Sequence, residues 1–311
     1  MDSLIFSLNA TIPVFLVMVV GYILKQSGMI NEGFVKCANR FVFMVCLPAL
    51  LFQDIFEADI RSNFDVRYVL FCALVTLFCI LVIWTVAKVC YHSTDRGEFV
   101  QSAFRGSAAI LGVAFIENIY GDTGMAPLMI IGAVPLYDMF AVIILTFEAP
   151  DRDNNKLKKA IVDVFKNPMI ISIFAGIIFS YLRIDLPQIA DTTISMFARI
   201  SSPLALVCIG AGFEGKKAIA KIKPTLVASF IKLIVQPVIF MPLAIYMGFT
   251  DEKLVALLIM LGSPATASSY IMAKNMNHEG VLSSSIIVLT TVLSSFTITA
   301  GLFILKYFGY V

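Results

Sequence analysis

The sequence predicts an all-α integral membrane protein, its ten transmembrane helices forming a 5+5 inverted repeat in which helices 4 and 9 are broken. Three observations carry that prediction. The composition is too apolar for a water-facing surface, ten apolar stretches are separated by loops of alternating charge, and one half of the chain can be laid over the other. Of 311 residues, 59% are hydrophobic and 14% charged, against about 45–50% and about 25% in soluble domains. Mean hydropathy is +0.91. The net charge of +2 gives no sign of a nucleic-acid partner, and none is expected.

The apolar stretches fall at 5–24, 35–56, 66–91, 100–119, 125–147, 167–182, 192–213, 224–248, 253–273 and 281–307. A spanning helix needs about 20 mostly apolar residues, and these segments lack the short alternating strands of an outer-membrane barrel. The first stretch is too long for the core of a signal peptide and has no basic lead, so it reads as a retained span. The sixth is short, but the amphipathic segment 157–166 leads into it and can lie at the interface. Residues 1–150 thus form one five-helix repeat, 151–167 a cytoplasmic linker, and 168–311 the second repeat.

Loop charge orients the chain. With the N-terminus outside, sixteen Lys and Arg residues fall on the inner side and five on the outer side. The positive-inside bias then puts both termini on the outer side of the cell membrane.

The repeat is read from offsets. At 156, Gly106 and Ser107 lie over Gly262 and Ser263, and Gly124 lies over Gly280; at 155, Pro13, Gly21 and Pro48 lie over Pro168, Gly176 and Pro203. Because each half has five spans, the halves enter the membrane from opposite sides. Inverted repeats of this kind are transporter architectures, with the site at interrupted helices near the midplane.

Those interruptions are expected in the fourth and ninth stretches. Pro264, between Ser263 and Thr266, removes a backbone donor and clashes with the preceding turn; Gly106 and Gly112 flank a run of small residues. Opened backbone at membrane depth is tolerated only where it is buried or lines a cavity, and half-helix N-termini favour anions. An ordinary proline kink with small-residue packing is the competing reading. The substrate-binding candidates are therefore Gly106, Ser107, Gly112, Ser263, Pro264 and Thr266, joined by two charges inside spans, Asp138 and Lys232.

Asp138 lies about 20 Å from the outer end of the fifth stretch at 1.5 Å per residue, and a charge at that depth marks a functional site by default. Three readings stay open: an ion pair with Lys232, a proton site at Asp138, or Lys232 balancing an anionic substrate. Snorkelling to the inner interface is a fourth reading for Lys232. Arg105 and Glu117, at opposite ends of the fourth stretch, read as interfacial anchors.

Other signals carry less. The GxxxxGK match at 210–216 follows a spanning helix rather than a strand, so it lacks the context of a phosphate loop. His92 and His278 have no zinc-ligand spacing, and the six cysteines form no CxxC pair. Without a convergent catalytic set, no enzyme is expected. No cofactor is expected either, beyond a proton or sodium ion for coupling.

At these residues the chain resembles the auxin efflux carrier family, the bacterial PIN-like carriers. The matching pieces are NRFVF at 39–43 with LPALLF at 47–52, FRG at 104–106 running to YGD at 120–122, VPLYDMFAV at 134–142, SPLAL at 202–206, KLIVQP at 232–237 and SPAT at 263–266. The resemblance implies a fold like that of bile-acid sodium symporters. Spans 1, 2, 6 and 7 would form a scaffold, often dimeric, and spans 3–5 with 8–10 a moving transport domain. Spans 4 and 9 would cross at the substrate site. Many relatives carry Asn where Ser107 stands, and often where Asp138 stands, which weakens direct transfer of a substrate. The expected function is secondary transport of a small organic anion (malate, malonate or an auxin-like acid) by an elevator-type movement. The alternatives are a membrane sensor of a small carboxylate and an anion channel. The expected partners are that anion, membrane lipid, and a second copy joined through the scaffold helices.

Overall fold

The computed structural model describes residues 2–57, 65–108, 116, 120, 124–149, 162 and 165–311. Its helices are, in order, α1 (Asp2–Gln26), α2 (Glu32–Phe56), α3 (Val66–Cys90), α4 (Arg96–Phe104), α5 (Ala126–Phe147), α6 (Pro168–Leu182), α7 (Gln188–Ala211), α8 (Gly215–Ala220), α9 (Ile222–Tyr246), α10 (Asp251–Gly262), α11 (Ala267–Asn275) and α12 (Val281–Tyr307). Among the described residues there is no β-strand, and one isolated antiparallel bridge joins Gly106 to Ala265.

Six of these helices, α2, α3, α5, α7, α9 and α12, are long and apolar enough to cross a membrane. Their outward faces are apolar rather than polar. On α3, Leu70, Leu74 and Phe78 follow one another at helical spacing and are each more than half exposed. An unbroken apolar stripe of that kind suits lipid and not water. The chain is an integral, multi-pass membrane protein.

Local chemistry sets several boundaries. Asn31, Asp65 and Asn167 each accept a backbone N–H of the helix that follows, from Phe34 (2.9 Å), Tyr68 (3.0 Å) and Met169 (2.9 Å). Such N-caps satisfy donors that the helix itself leaves free. Two long helices contain one wide π-helical turn, Val42–Cys46 in α2 and Ile231–Val235 in α9. In both, a proline (Pro48 or Pro237) stands two residues after the wide turn. A proline cannot donate and its ring crowds the carbonyl four residues back; the widened turn accommodates that strain inside a helix that continues.

α1 lies along both α7 and α12, and α2 lies along α6 and α7; α3, α4 and α5 pack together, as do α9, α10 and α12, and α4 also touches α9 and α12. The α1–α7 contact is backbone to backbone, because a Cβ on Gly21 or Gly210 would collide with the main chain of Val207 or Met18. Side-chain bonds also cross between elements: Thr11 to Ser295 (2.5 Å) joins α1 to α12, and Gln53 to Ser195 (2.9 Å) joins α2 to α7.

The fourth and ninth apolar stretches are not continuous helices. α4 ends at Phe104 and helical geometry resumes by Ala108; α10 ends at Gly262 and α11 starts at Ala267. The two interruptions meet each other at the Gly106–Ala265 bridge.

Candidate functional site

The site is built where those two interruptions touch. Ser107 N–H donates to the Pro264 carbonyl at 2.9 Å, and Ala265 N–H donates to Thr290 Oγ1 of α12 at 3.0 Å. These bonds satisfy backbone groups that the breaks remove from their helices, a necessity in a medium without water. Gly106 is required by proximity. A Cβ there would stand 2.5 Å from Ser263 Oγ and 2.8 Å from Lys232 Nζ.

α9 closes the exposed ends of both half-helices. Lys232 is fully buried, and its ammonium donates to the carbonyls of Met260 (3.1 Å) and Leu261 (2.9 Å) in the last turn of α10. One turn on, Gln236 Nε2 donates to the Ala103 carbonyl of α4 at 2.7 Å. A cation and an amide donor thus occupy two C-terminal ends, where carbonyls are left over and the helix dipole is negative.

The charged pair at the centre differs from the sequence expectation. Asp138 does not pair with Lys232. Its Oδ1 accepts from the guanidinium of Arg105, and both side chains are buried. The interfacial reading of Arg105 is corrected as well: it follows directly on the end of α4, is 4% exposed, and is held by partners inside the protein. Its other amine donates to the Met272 sulfur of α11 at 2.7 Å. Snorkelling is likewise excluded for Lys232 by its burial and its carbonyl partners. Glu117 lies outside the described residues.

Two small cavities flank the bridge, each of about 50 Å³. One is enclosed by Asp54 and its neighbours on α2, Ser201 and Ser202 on α7, Tyr137 and Asp138 on α5, Arg105 to Ala108 at one break and Thr266 to Ser268 at the other. The second is lined by Ser107, Ser202 and Pro264 to Ala267, with apolar residues of α1, α7 and α12. α11 points its N-terminus into this space. Thr266 flanks it with an extended backbone and no side-chain bond to the first-turn amides; its hydroxyl meets that of Ser268 at 3.1 Å.

The fold therefore brings Gly106, Ser107, Asp138, Lys232, Ser263, Pro264 and Thr266 together, whereas Gly112 lies outside the described residues. Lys232 approaches Gly106 from behind the bridge and does not line either cavity. Two participants were missed by sequence reasoning, Arg105 and Asp54. A charge six residues into an apolar stretch looks identical to one at an interface, and Asp54 sits beside the polar Gln53 near the end of the second stretch.

Further polar contacts brace the end of the molecule where α4 and α12 begin. The buried Glu98 carboxylate accepts from the N–H groups of Gly280 (2.8 Å) and Ser283 (2.9 Å), which places an anion on the N-terminus of α12. His278 is buried, with Nε2 2.9 Å from the Leu145 carbonyl. Arg96 and Trp84 both donate to Glu148, and Lys221 and Tyr91 to Asp95.

A polytopic helical membrane protein with a small, charged cavity between two interrupted helices has the form of a membrane transport protein. The chain belongs to the membrane transport protein family, matched over residues 6–301, which is the auxin efflux carrier family of the resemblance. It is 24% identical to "Uncharacterized transporter YfdV" of Escherichia coli (strain K12), over 97% of this chain and 98% of that protein. It is 23% identical to "Putative malonate transporter" of Rhizobium meliloti (strain 1021), over 86% of each. With "Lysosomal cholesterol signaling protein" of Mus musculus it shares 25% identity, over 75% of this chain and 29% of that one. The family and most of these names are those of membrane transporters, not enzymes.

Proposed function

We propose that this protein is a secondary active transporter of a small organic anion, a carboxylate of the malonate or malate type, working by alternating access. One observation carries the proposal: Arg105, buried at a helix break, faces a cavity that also receives the N-terminus of α11. A guanidinium and free first-turn amides together form a carboxylate-binding arrangement. The name of the Rhizobium relative supports the same substrate class.

The mechanism follows from size. A cavity of about 50 Å³ is far below the roughly 300–1,000 Å³ of ligand sites. A dicarboxylate enters only when the wall formed by α2 and α7 parts from the wall formed by the breaks and α5. α1, α2, α6 and α7 then form the scaffold and the remaining helices the transport domain, so the α1–α12 contact is one of those that must slide. In this reading the ten apolar stretches are ten spans in a 5+5 inverted repeat. Both termini lie outside the cell membrane, and two copies associate through their scaffolds.

The test is uptake by the purified full chain in proteoliposomes, with labelled malonate, malate and an indole carboxylate offered in turn. Accumulation or exchange of one of them, lost in Arg105→Ala, supports the proposal; a flat response to all three overturns it. A second reading, a sensor that binds a ligand without moving it, is favoured by the likeness to the mouse signaling protein. Saturable carboxylate binding with no flux in the same vesicles would select it.

A further inference from the structure

Three buried oxygens lining the first cavity have no hydrogen-bond partner among the described residues: Asp54 Oδ2, Asp138 Oδ2 and Ser201 Oγ. Asp138 and Ser201 are both 0% exposed. Among the lining residues Arg105 is the one cation, and it is already bound to Asp138 Oδ1 and the Met272 sulfur. Among the described lining residues, Asp54 therefore has no free counter-charge.

The groups facing Asp54 can be taken element by element. From α5 come the Asp138 carboxylate and the Tyr137 phenol, and from the α4 break the engaged Arg105. From α7 come the Ser201 and Ser202 hydroxyls, from α6 Met169, and from the start of α11 Thr266 and Ser268. On its own helix Glu57 stands one turn away and accepts from Gln53 at 2.6 Å. The surroundings thus hold two further carboxylates and one cation that is already paired. With all groups ionised, the cavity wall carries two negative charges against one positive. Asp54 is partly buried, with its Oδ2 sealed from solvent and unpartnered among the described residues; a carboxylate oxygen so placed favours taking up a proton over keeping its charge, and an anion arriving beside it sharpens the demand.

We propose that Asp54 is the proton-carrying group of this protein, and that the organic anion occupies the cavity together with one proton on the Asp54 carboxyl. The inference rests on the carrier reading above. The two parts of the load are held on opposite walls. The anion lies against Arg105 and the α11 N-terminus, and the proton on α2, where the Ser201 hydroxyl is available to the acid form. Protonation converts –COO⁻ to –COOH with a proton from the aqueous side the cavity faces; because α2 belongs to the scaffold, the proton leaves Asp54 for the other side once the transport domain has moved the anion and opened the Asp54 wall to that side. The Arg105–Asp138 pair stays ionised and serves as the anion's anchor.

Two measurements on the full-length protein test this. Infrared titration in detergent, without substrate, reads the carbonyl stretch of a buried protonated carboxyl. The band is expected in the wild type and in Glu57→Gln, and absent in Asp54→Asn. Malonate binding is then followed across pH. Co-binding of one proton strengthens wild-type affinity by about tenfold per pH unit of acidification above the Asp54 titration. Asp54→Asn still binds malonate, with that slope lost, while malonate's own ionisation is common to both proteins and cancels in the comparison. A band or slope that survives Asp54→Asn and disappears in Asp138→Asn would overturn the proposal. So would binding that needs sodium at fixed pH. If the infrared band behaves as expected and no carboxylate binds at any pH, the carrier reading fails while the proton site at Asp54 stands.

Discussion

Arg105 and Asp138 are joined in a buried ion pair that ties the break after α4 to the middle of α5. Taking both charges out of water is costly, so the pair's net contribution to stability is small, yet removing one partner strands the other. Arg105→Ala is expected to lower stability by about 3–5 kcal/mol, whereas Arg105→Met combined with Asp138→Leu loses less than that single change. Thermal unfolding in detergent, arranged as a double-mutant cycle, measures the coupling. Strictly additive losses would show that the two charges do not act as a unit.

What was legible in the sequence follows from which forces leave a one-dimensional trace. Hydropathy does, so the ten apolar stretches all hold helix. Backbone-breaking chemistry does too: Pro264 and Gly106 located both interruptions, and the offset of 156 set them over each other. Partners do not. Lys232 was readable as an expensive charge, but the carbonyls that hold it belong to Met260 and Leu261, whose side chains say nothing of the matter. Arg105 was misplaced because its surroundings depend on how the break at Gly106 packs, and no pattern along the chain shows that Asp138 and Met272 lie beside it. Asp54 matters only because α2 and α5 face one cavity, a fact of tertiary packing alone.

The caps supplied by α9 give a second prediction. Lys232→Met keeps the length of the side chain and removes the ammonium that serves the last turn of α10. Each buried carbonyl left without a donor costs about 1–3 kcal/mol. The variant is expected to unfold at clearly lower temperature than Lys306→Met, which alters an exposed lysine at the end of α12. Equal midpoints for the two would remove Lys232 from its structural role.

A third concerns pH at the loop between α3 and α4. Burial by itself raises the Asp95 carboxyl, but hydrogen bonds from Lys221, Ser93 and Tyr91 outweigh it and hold the group below its ordinary range. A depressed folded-state value means that the stabilisation is fully present above the unfolded value, about 3.9. It is lost as pH falls through the folded one. Asp95→Asn should therefore be less stable than the wild type at neutral pH, with the gap closing in acid. Unfolding midpoints followed from pH 7 downward test the sign; a gap that widens on acidification would refute it.

The tightest point of the site gives the last prediction. Gly106 leaves no room for a methyl group, since a Cβ would press on Ser263 Oγ and on Lys232 Nζ. Lys232 cannot retreat without giving up the α10 carbonyls, so the two breaks must separate and the Ser107–Pro264 bond must stretch. Gly106→Ala is expected to cost about 1–3 kcal/mol, the usual range for overpacking, and to reduce carboxylate uptake more than it reduces the amount of folded protein. Ser263→Ala removes the nearer obstacle, so the double variant should recover part of the lost stability. Gly215→Ala, at a position with nothing within 4 Å of the added carbon, should be neutral. Were Gly106→Ala as stable and as active as Gly215→Ala, close contact at the crossing would have no part in the proposed transport.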